Sequence, residues 1–418
     1  MGIGMVFGST GGRGLATRNE DEMTDELHQD TRAAQGASVK LDQRPMALPV
    51  YRSAVFRTQT VREFDAISGL QQEGYVYSRD RNPTSDAFAV AVGELESVNV
   101  SESIDADSFA SGKAAVSSTI LSFVRTGDEI ICSKVIYNGT GGFLTGLATR
   151  LGIRTSFVNF GNLREVELAV EGAGDRAKLL FVETIANPTL AVADLAALAK
   201  LAHNHGLLFV VDSTFTSPAI CRPLEFGADV VIHSATKFIG GHGDATGGVA
   251  VGRSDLIAEI RETRKALGGS LAPDEAFMLH RGLLTLPLRM RRHSESALYL
   301  AQALESHEKV KGVSYPGLAS HPDHALAQRQ FEGGLSGGVV ALSLEGGAEE
   351  VATVCDRLQL ISIATSVGSV HSKASRVGVP RLGQGEQDQA PEFLLRLSVG
   401  LEDPGDLLRD MVRALESV

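Results

Sequence analysis

Lys237 lies four residues beyond the apolar run Asp229-Val-Val-Ile-His233, with Ser234-Ala-Thr236 in between. A second apolar run, Leu207-Leu-Phe-Val-Val211, ends in Asp212, and Phe109-Ala-Ser111-Gly112-Lys113 opens a helical stretch. Taken singly, such a lysine reads as a solvated surface group and such an aspartate as a cap, although strand ends are where loops carry function. Together they fit one chemistry. A lysine amine forms a Schiff base with an aldehyde cofactor. An aspartate facing a pyridine nitrogen keeps it protonated and makes the ring an electron sink. The amides of Gly112 and Lys113 at a helix start suit a phosphate, helped by the helix dipole. The hydroxyls of Ser234 and Thr236 add further donors.

These residues need a scaffold. Strands are predicted at Asp128 to Cys132, Arg154 to Asn159, Lys178 to Glu183, Leu207 to Asp212 and Asp229 to His233. Helices are predicted at Gly112 to Val124, Asn138 to Arg150, Leu163 to Glu171 and Asp194 to His205. This alternation predicts an α/β fold with a mainly parallel sheet covered on both faces. Ligands of such sheets bind beyond the carboxyl ends of the strands. After about Ala272 the pattern changes to a long helical region (Pro273 to Glu305), a strand at Gly338 to Leu344 and a helix at Ala348 to Leu358. A polar loop (Ser366 to Gln389), a strand at Leu394 to Val399 and a last helix at Asp406 to Glu416 follow. The expected division is a leader and arm (1–75), a large domain (76–271) and a smaller α+β domain (272–418).

Composition sets the outer limits. A chain of 418 residues with 43% hydrophobic residues exceeds one ordinary core. Its net charge of −12, with scattered basic residues, argues against a nucleic-acid partner. No apolar run spans a bilayer, and no signal peptide is read at the start, so the expected location is cytoplasmic. Cys132, Cys221 and Cys355 lie far apart and read as reduced core residues. Gly8-Ser-Thr-Gly-Gly-Arg-Gly14 has glycines enough for a phosphate loop but no strand before it, so Met1 to Thr24 reads as a mobile leader. His321-Pro-Asp-His324 and His203-Asn-His205 have metal-like spacing without a third ligand, and no metal is expected. The absence of GxGxxG after the first strand counts against a nicotinamide-binding dehydrogenase.

Five longer motifs carry a family resemblance. They are Tyr77-Ser-Arg-Asp-Arg-Asn-Pro-Thr84, Val211-Asp-Ser-Thr-Phe215, His233-Ser-Ala-Thr-Lys-Phe238 with Gly241-His-Gly-Asp244, Tyr315-Pro-Gly-Leu-Ala-Ser-His321, and Arg396-Leu-Ser-Val-Gly-Leu-Glu-Asp403. From about Leu27 onward the chain resembles the cystathionine/methionine-metabolism (trans-sulfuration) family of fold-type I pyridoxal-phosphate (PLP) enzymes. The resemblance implies PLP on Lys237, which also shuttles protons, Asp212 against the pyridine nitrogen, and Tyr137 stacked on the ring and assisting at the leaving group. It implies phosphate contacts from Ser111, Gly112, Lys113, Ser234 and Thr236, and support near the ring oxygen from Glu183 and Asn187. Tyr77 and Arg79 match a pair that reaches the cofactor of a neighbouring subunit, which makes a homodimer the minimum unit and a tetramer usual. Arg396 matches the guanidinium that holds the substrate α-carboxylate, with Ser366 beside it.

The implied reaction is γ-elimination or γ-replacement, through quinonoid and vinylglycine-type intermediates. Its substrate is an amino acid with a Cγ leaving group: an activated homoserine, cystathionine or S-adenosylmethionine. Three alternatives stand beside it: a secondary-metabolism enzyme using a carbon nucleophile, a β-lyase acting on cystathionine or cysteine conjugates, and a non-catalytic PLP-binding protein. The sequence also departs from the family pattern. Lys113 replaces a usual Met, Gly139 stands where methionine γ-lyases often carry Cys, and Arg52 stands where Gln is common. Val98 to Asp107 reads as a polar insertion, and His371 lies in a shortened loop as an acid/base or substrate ligand. The added cations suggest a larger or more anionic substrate.

Overall fold

The computed structural model describes residues 28–35, 45–69, 71–379, 382 and 393–417. The glycine-rich leader lies outside the described residues, as does most of 380–392. Seven strands form the larger sheet: β1 (Ile104–Phe109), β2 (Glu129–Ser133), β3 (Arg154–Val158), β4 (Ala177–Glu183), β5 (Leu208–Asp212), β6 (Val230–His233) and β7 (Gly248–Arg253). Their order is β1-β7-β6-β5-β4-β2-β3. Strands β2 to β6 pair in parallel, whereas β7 runs antiparallel to both β6 and β1. The carboxyl ends of β1, β2, β4, β5 and β6 therefore open on one edge, where a ligand of such a sheet belongs.

Side-chain alternation explains why both sheet faces are covered. Leu179, Phe181 and Val210 point into one apolar layer with Ile120 and Ile257. Leu180, Val182, Phe209 and Val211 point into the other with Phe88 and Leu95. Each such side chain contributes about 1.5–3 kcal/mol on burial, so the register of these strands is strongly fixed. A smaller sheet follows, built from β8 (Val310–Ser314), β9 (Val339–Leu344), β10 (Ser362–Ile363), β11 (Lys373–Gly378) and β12 (Phe393–Ser398). Its order is β10-β11-β12-β9-β8.

Two sequence expectations are corrected here. The stretch read as a polar insertion, Val98 to Asp107, contains the first four residues of β1, which pairs with β7 from Ile104↔Arg253 to Phe109↔Gly248. Its aspartates resemble a loop in sequence, but buried Asp107 accepts from Arg264 Nε at 2.6 Å and lies 3.7 Å from Arg261. A distant helix thus neutralises a charge that the local pattern leaves exposed. The loop expected from Ser366 to Gln389 contains β11, antiparallel to β12 from Lys373↔Ser398 to Gly378↔Phe393. The expected helix after Tyr137 is α-helical over Asn138–Phe143 and becomes a π turn over Leu144–Ala148, a device frequent at functional sites.

The helix Leu286–Glu305 ties the two sheets together. Arg289 donates to the carbonyls of Phe238, Ile239 and Gly282 at 2.6, 3.0 and 2.6 Å. One turn on, His293 Nδ1 donates to Val399 O at 2.8 Å. Burial pushes the His293 pKa down to about 4, so it is neutral and its Nδ1 proton is fixed by that carbonyl. One helix thereby holds both the segment that follows Lys237 and the end of the strand that carries Arg396.

Candidate active site

A cavity of about 470 Å³ opens at the carboxyl edge of the large sheet, closed on one side by residues of the smaller sheet. Lys237 enters it from the turn after β6, and its Nζ donates to Ser366 Oγ at 2.7 Å. Ser366 adopts a left-handed backbone, φ +76°, unusual for a residue with a side chain. Such strain is held where the surroundings dictate it and clusters at functional sites. Burial lowers the Lys237 pKa, and the charges of Arg396 and Lys373 lower it further. The amine is thus a readier base and nucleophile than a surface lysine.

Asp212 ends β5, and its Oδ1 accepts from Thr214 N at 3.0 Å. Burial raises its pKa, while Thr214 and the charge of His233 oppose the rise. Behind it, His233 Nδ1 donates to Ser213 O at 3.1 Å, and Nε2 lies 2.6 Å from Glu96 Oε1, both residues fully buried. Since a carbonyl only accepts, Nδ1 carries a proton. Glu183 ends β4. Its two oxygens accept from Tyr137 N at 3.0 Å and Asn187 N at 2.9 Å. Burial and the neighbouring Asp212 raise the Glu183 pKa to about 8.

The helix Gly112–Phe123 begins at the carboxyl end of β1, and Ser111 caps it by accepting from Ala114 N at 3.1 Å. The amides of Gly112 and Lys113 have no acceptor within the helix, as at any helix start. A Cβ at Gly112 would lie 2.5 Å from Ser234 Cβ, so only glycine lets these two donor-bearing segments meet. Ser234 N donates to Thr214 Oγ1 at 2.8 Å, which links the two strand ends. Arg396 projects from β12, donating to Asn187 Oδ1 at 3.0 Å and Ser375 Oγ at 3.4 Å. Burial lowers its pKa, and among the described residues it has no carboxylate partner.

Of the residues singled out in the sequence, Ser111, Gly112, Lys113, Tyr137, Glu183, Asn187, Asp212, Ser234, Thr236, Lys237, Ser366 and Arg396 line this cavity. Three do not. His371 is exposed and outside the lining, its backbone carbonyl accepting from Ser369 Oγ at 3.0 Å, because it lies at the turn into β11 rather than in a loop over the site. Tyr77 and Arg79 lie in a separate cavity of about 450 Å³ beside Val55, Phe56 and Phe64. There the Arg79 guanidinium stands 5.0 Å over the exposed Tyr77 ring. Arg52 is also elsewhere, bound to Asp274 at 2.6–3.1 Å. Sequence reasoning did not single out Thr214, Phe215, Thr140, Thr246 or Val377, all of which line the cavity. The first two were legible as parts of the Asp212 motif. The others come from helix, loop and strand positions with no distinguishing local signal.

The donor set fits a pyridine-aldehyde phosphate. It offers helix-start amides and hydroxyls for oxyanions, a carboxylate for a ring N–H, and a depressed-pKa amine for an aldehyde. Comparison with known proteins agrees. The model of the Cys/Met metabolism PLP-dependent enzyme family matches residues 30–416. The L-methionine gamma-lyase of Porphyromonas gingivalis is 35% identical over 396 residues, covering 93% of this chain and 97% of that protein. The cystathionine beta-lyase of Coxiella burnetii is 38% identical over 375 residues, covering 88% and 92%. Among solved structures, a putative O-acetylhomoserine (thiol)-lyase of Campylobacter jejuni superposes with a TM-score of 0.85 at 28% identity, covering 93% of this chain and all of that one. It carries an N'-pyridoxyl-lysine-5'-monophosphate.

Proposed function

We propose, for a chain that belongs to the Cys/Met metabolism family of PLP-dependent enzymes, that its reaction is γ-elimination or γ-replacement on an amino acid bearing a leaving group at Cγ. The observation that carries this reading is the gathering in one cavity of Lys237, Asp212 and an Arg396 that lacks a carboxylate partner among the described residues. When bound, PLP supplies the aldehyde that captures the substrate amine and the ring that accepts the electrons freed at Cα. The chain's own residues supply the rest. Asp212 keeps a proton on the ring nitrogen. Arg396 takes the substrate α-carboxylate as a bidentate pair, its plane set by Asn187. Lys237 would hold the cofactor aldehyde and, as a free amine, would take onto its Nζ the proton from Cα. Ser366 holds its Nζ in reach of that atom. The Tyr137 phenol faces the same cavity and serves the group leaving Cγ.

Tyr77 and Arg79 stand exposed and apart from this chain's own cavity, which supports their service to the cofactor phosphate of a second copy. The assembly we infer is therefore a homodimer at least, with a tetramer as its extension. The expected location is the cytoplasm; no helix among the described residues is long and apolar enough to cross a membrane.

The test is an absorption titration of the purified protein with O-acylhomoserines, cystathionine, methionine and S-adenosylmethionine, followed by product analysis. A visible-edge cofactor band that Lys237→Ala abolishes, with 2-oxobutyrate or a γ-substituted product, is the expected result. Pyruvate from cystathionine would replace γ- with β-elimination. A band that no amino acid disturbs would refute the catalytic assignment.

A further inference from the structure

Two of the departures noted in the sequence, Lys113 and Gly139, touch. The Lys113 ammonium donates to Gly139 O and stands 5.8 Å over the Tyr137 ring. A Cβ at position 139 would collide with that ring and lie 2.7 Å from Lys113 Nζ. Gly139 is not needed for backbone freedom, since its φ is not in the left-handed region. The space its missing side chain leaves is filled by the Tyr137 ring and the Lys113 ammonium. A change on one helix and a change on the next therefore build one feature.

The ammonium is turned toward the helix Asn138–Phe143, and among the described residues its hydrogen bond goes there rather than to Ser234 or Thr236. It has no carboxylate partner among the described residues. An ammonium carries three donors, so two remain for a ligand in the cavity that Lys113 lines. It reaches the cavity from the start of the helix Gly112–Phe123, whereas Arg396 reaches it from β12. The cavity thus presents cations on separate walls, Arg396 from the smaller sheet and Lys113 from the large one. Partial burial costs Lys113 hydration, lowering its pKa, and an anion placed beside it would restore what is lost.

We propose that Lys113 is a specificity-determining residue which binds an oxyanion at the far end of the substrate's side chain, so that the enzyme prefers amino acids ending in a carboxylate or phosphate over neutral or cationic ones. This rests on reading the cavity as an amino-acid site, and it narrows the proposed substrates toward acidic esters of homoserine and cystathionine and away from sulfonium compounds.

The test uses the PLP-loaded enzyme and two unreactive ligands of equal length, L-2-aminoadipate and L-norleucine, titrated by their effect on the visible cofactor band. Wild type is expected to bind the dicarboxylate on the order of tenfold more tightly, as one charge-assisted hydrogen bond supplies. Lys113→Met is expected to abolish that preference, and Lys113→Arg to keep it. Turnover of O-succinyl- and O-phospho-L-homoserine, each as a ratio to O-acetyl-L-homoserine, then shows which oxyanion is favoured. Equal binding of the two ligands by wild type overturns the proposal, as does a preference that survives in Lys113→Met. A Lys113→Met variant whose main loss is affinity for PLP also overturns it, because the ammonium would then serve the cofactor phosphate. Failure of the γ-chemistry looks different: no homoserine ester is turned over while the Lys113-dependent preference stays, which sinks the proposed reaction and leaves the oxyanion site standing.

Discussion

Replacing Glu183 by Gln tests the electrostatics of the site most directly. Both Glu183 oxygens accept backbone N–H groups, from Tyr137 and Asn187. A glutamine offers one acceptor oxygen and turns its NH₂ toward the other donor. One buried N–H then loses its partner, at about 1–3 kcal/mol. If the Asn187 contact fails, the Arg396 guanidinium loses the amide that orients it. The predicted consequence is a fall in kcat/KM of roughly 5- to 150-fold, mainly through KM, since 1.4 kcal/mol is a factor of ten. The pH dependence of stability gives a second, sharper readout. The folded pKa of Glu183 is raised to about 8. A raised carboxyl pKa means the fold holds the proton more tightly than the unfolded chain, so this contribution is complete below the unfolded pKa near 4.5 and vanishes as pH rises through about 8. From pH 5 to 8 the interval is about three units, or about 4 kcal/mol as an upper limit at 1.36 kcal/mol per unit. Glutamine does not titrate. In urea denaturation of cofactor-stripped protein, the stability of wild type relative to Glu183→Gln should fall by about 1–4 kcal/mol between pH 5 and pH 8.5. A difference that stays constant across that range would refute the reasoning.

Three further outcomes are expected. Arg396→Lys keeps the charge but loses the planar fork, and kcat/KM should drop roughly 10- to 100-fold through KM for every amino acid tested. Glu96→Leu breaks the fully buried pair with His233, which should cost about 3–5 kcal/mol in denaturation. Ser366→Gly relieves the left-handed backbone at φ +76°, whereas Ser366→Ala keeps it; both remove the hydroxyl that holds Lys237. Ser366→Gly should therefore be the more stable of the two by about 1 kcal/mol, and equal stabilities would contradict the strain.

The sequence alone determined the five parallel strands of the large sheet and the residue types at their ends, but neither β1 nor β7 nor the strand order. The parallel strands are short apolar runs, and their identity is carried by residues next to one another in the chain. The same holds for Asp212 with Thr214 and for Ser234, Thr236 and Lys237, which sit on consecutive strand ends. Hydrophobic pattern is a local property, so it survives without coordinates. What depended on partners far along the chain was not legible. β1 hid behind its aspartates because Arg264, 157 residues away, neutralises one of them. β11 hid in a polar stretch because its strand character comes from pairing with β12. His371 looked like a loop ligand, yet its place at the entry to β11 leaves it exposed. Arg52 and Lys113 looked like a pair of added cations. The fold neutralises the first on Asp274 and aims the second, through the space at Gly139, into the cavity. Residue types set which chemistry is available, but which groups share a cavity is a sum over long-range contacts that only the folded chain makes.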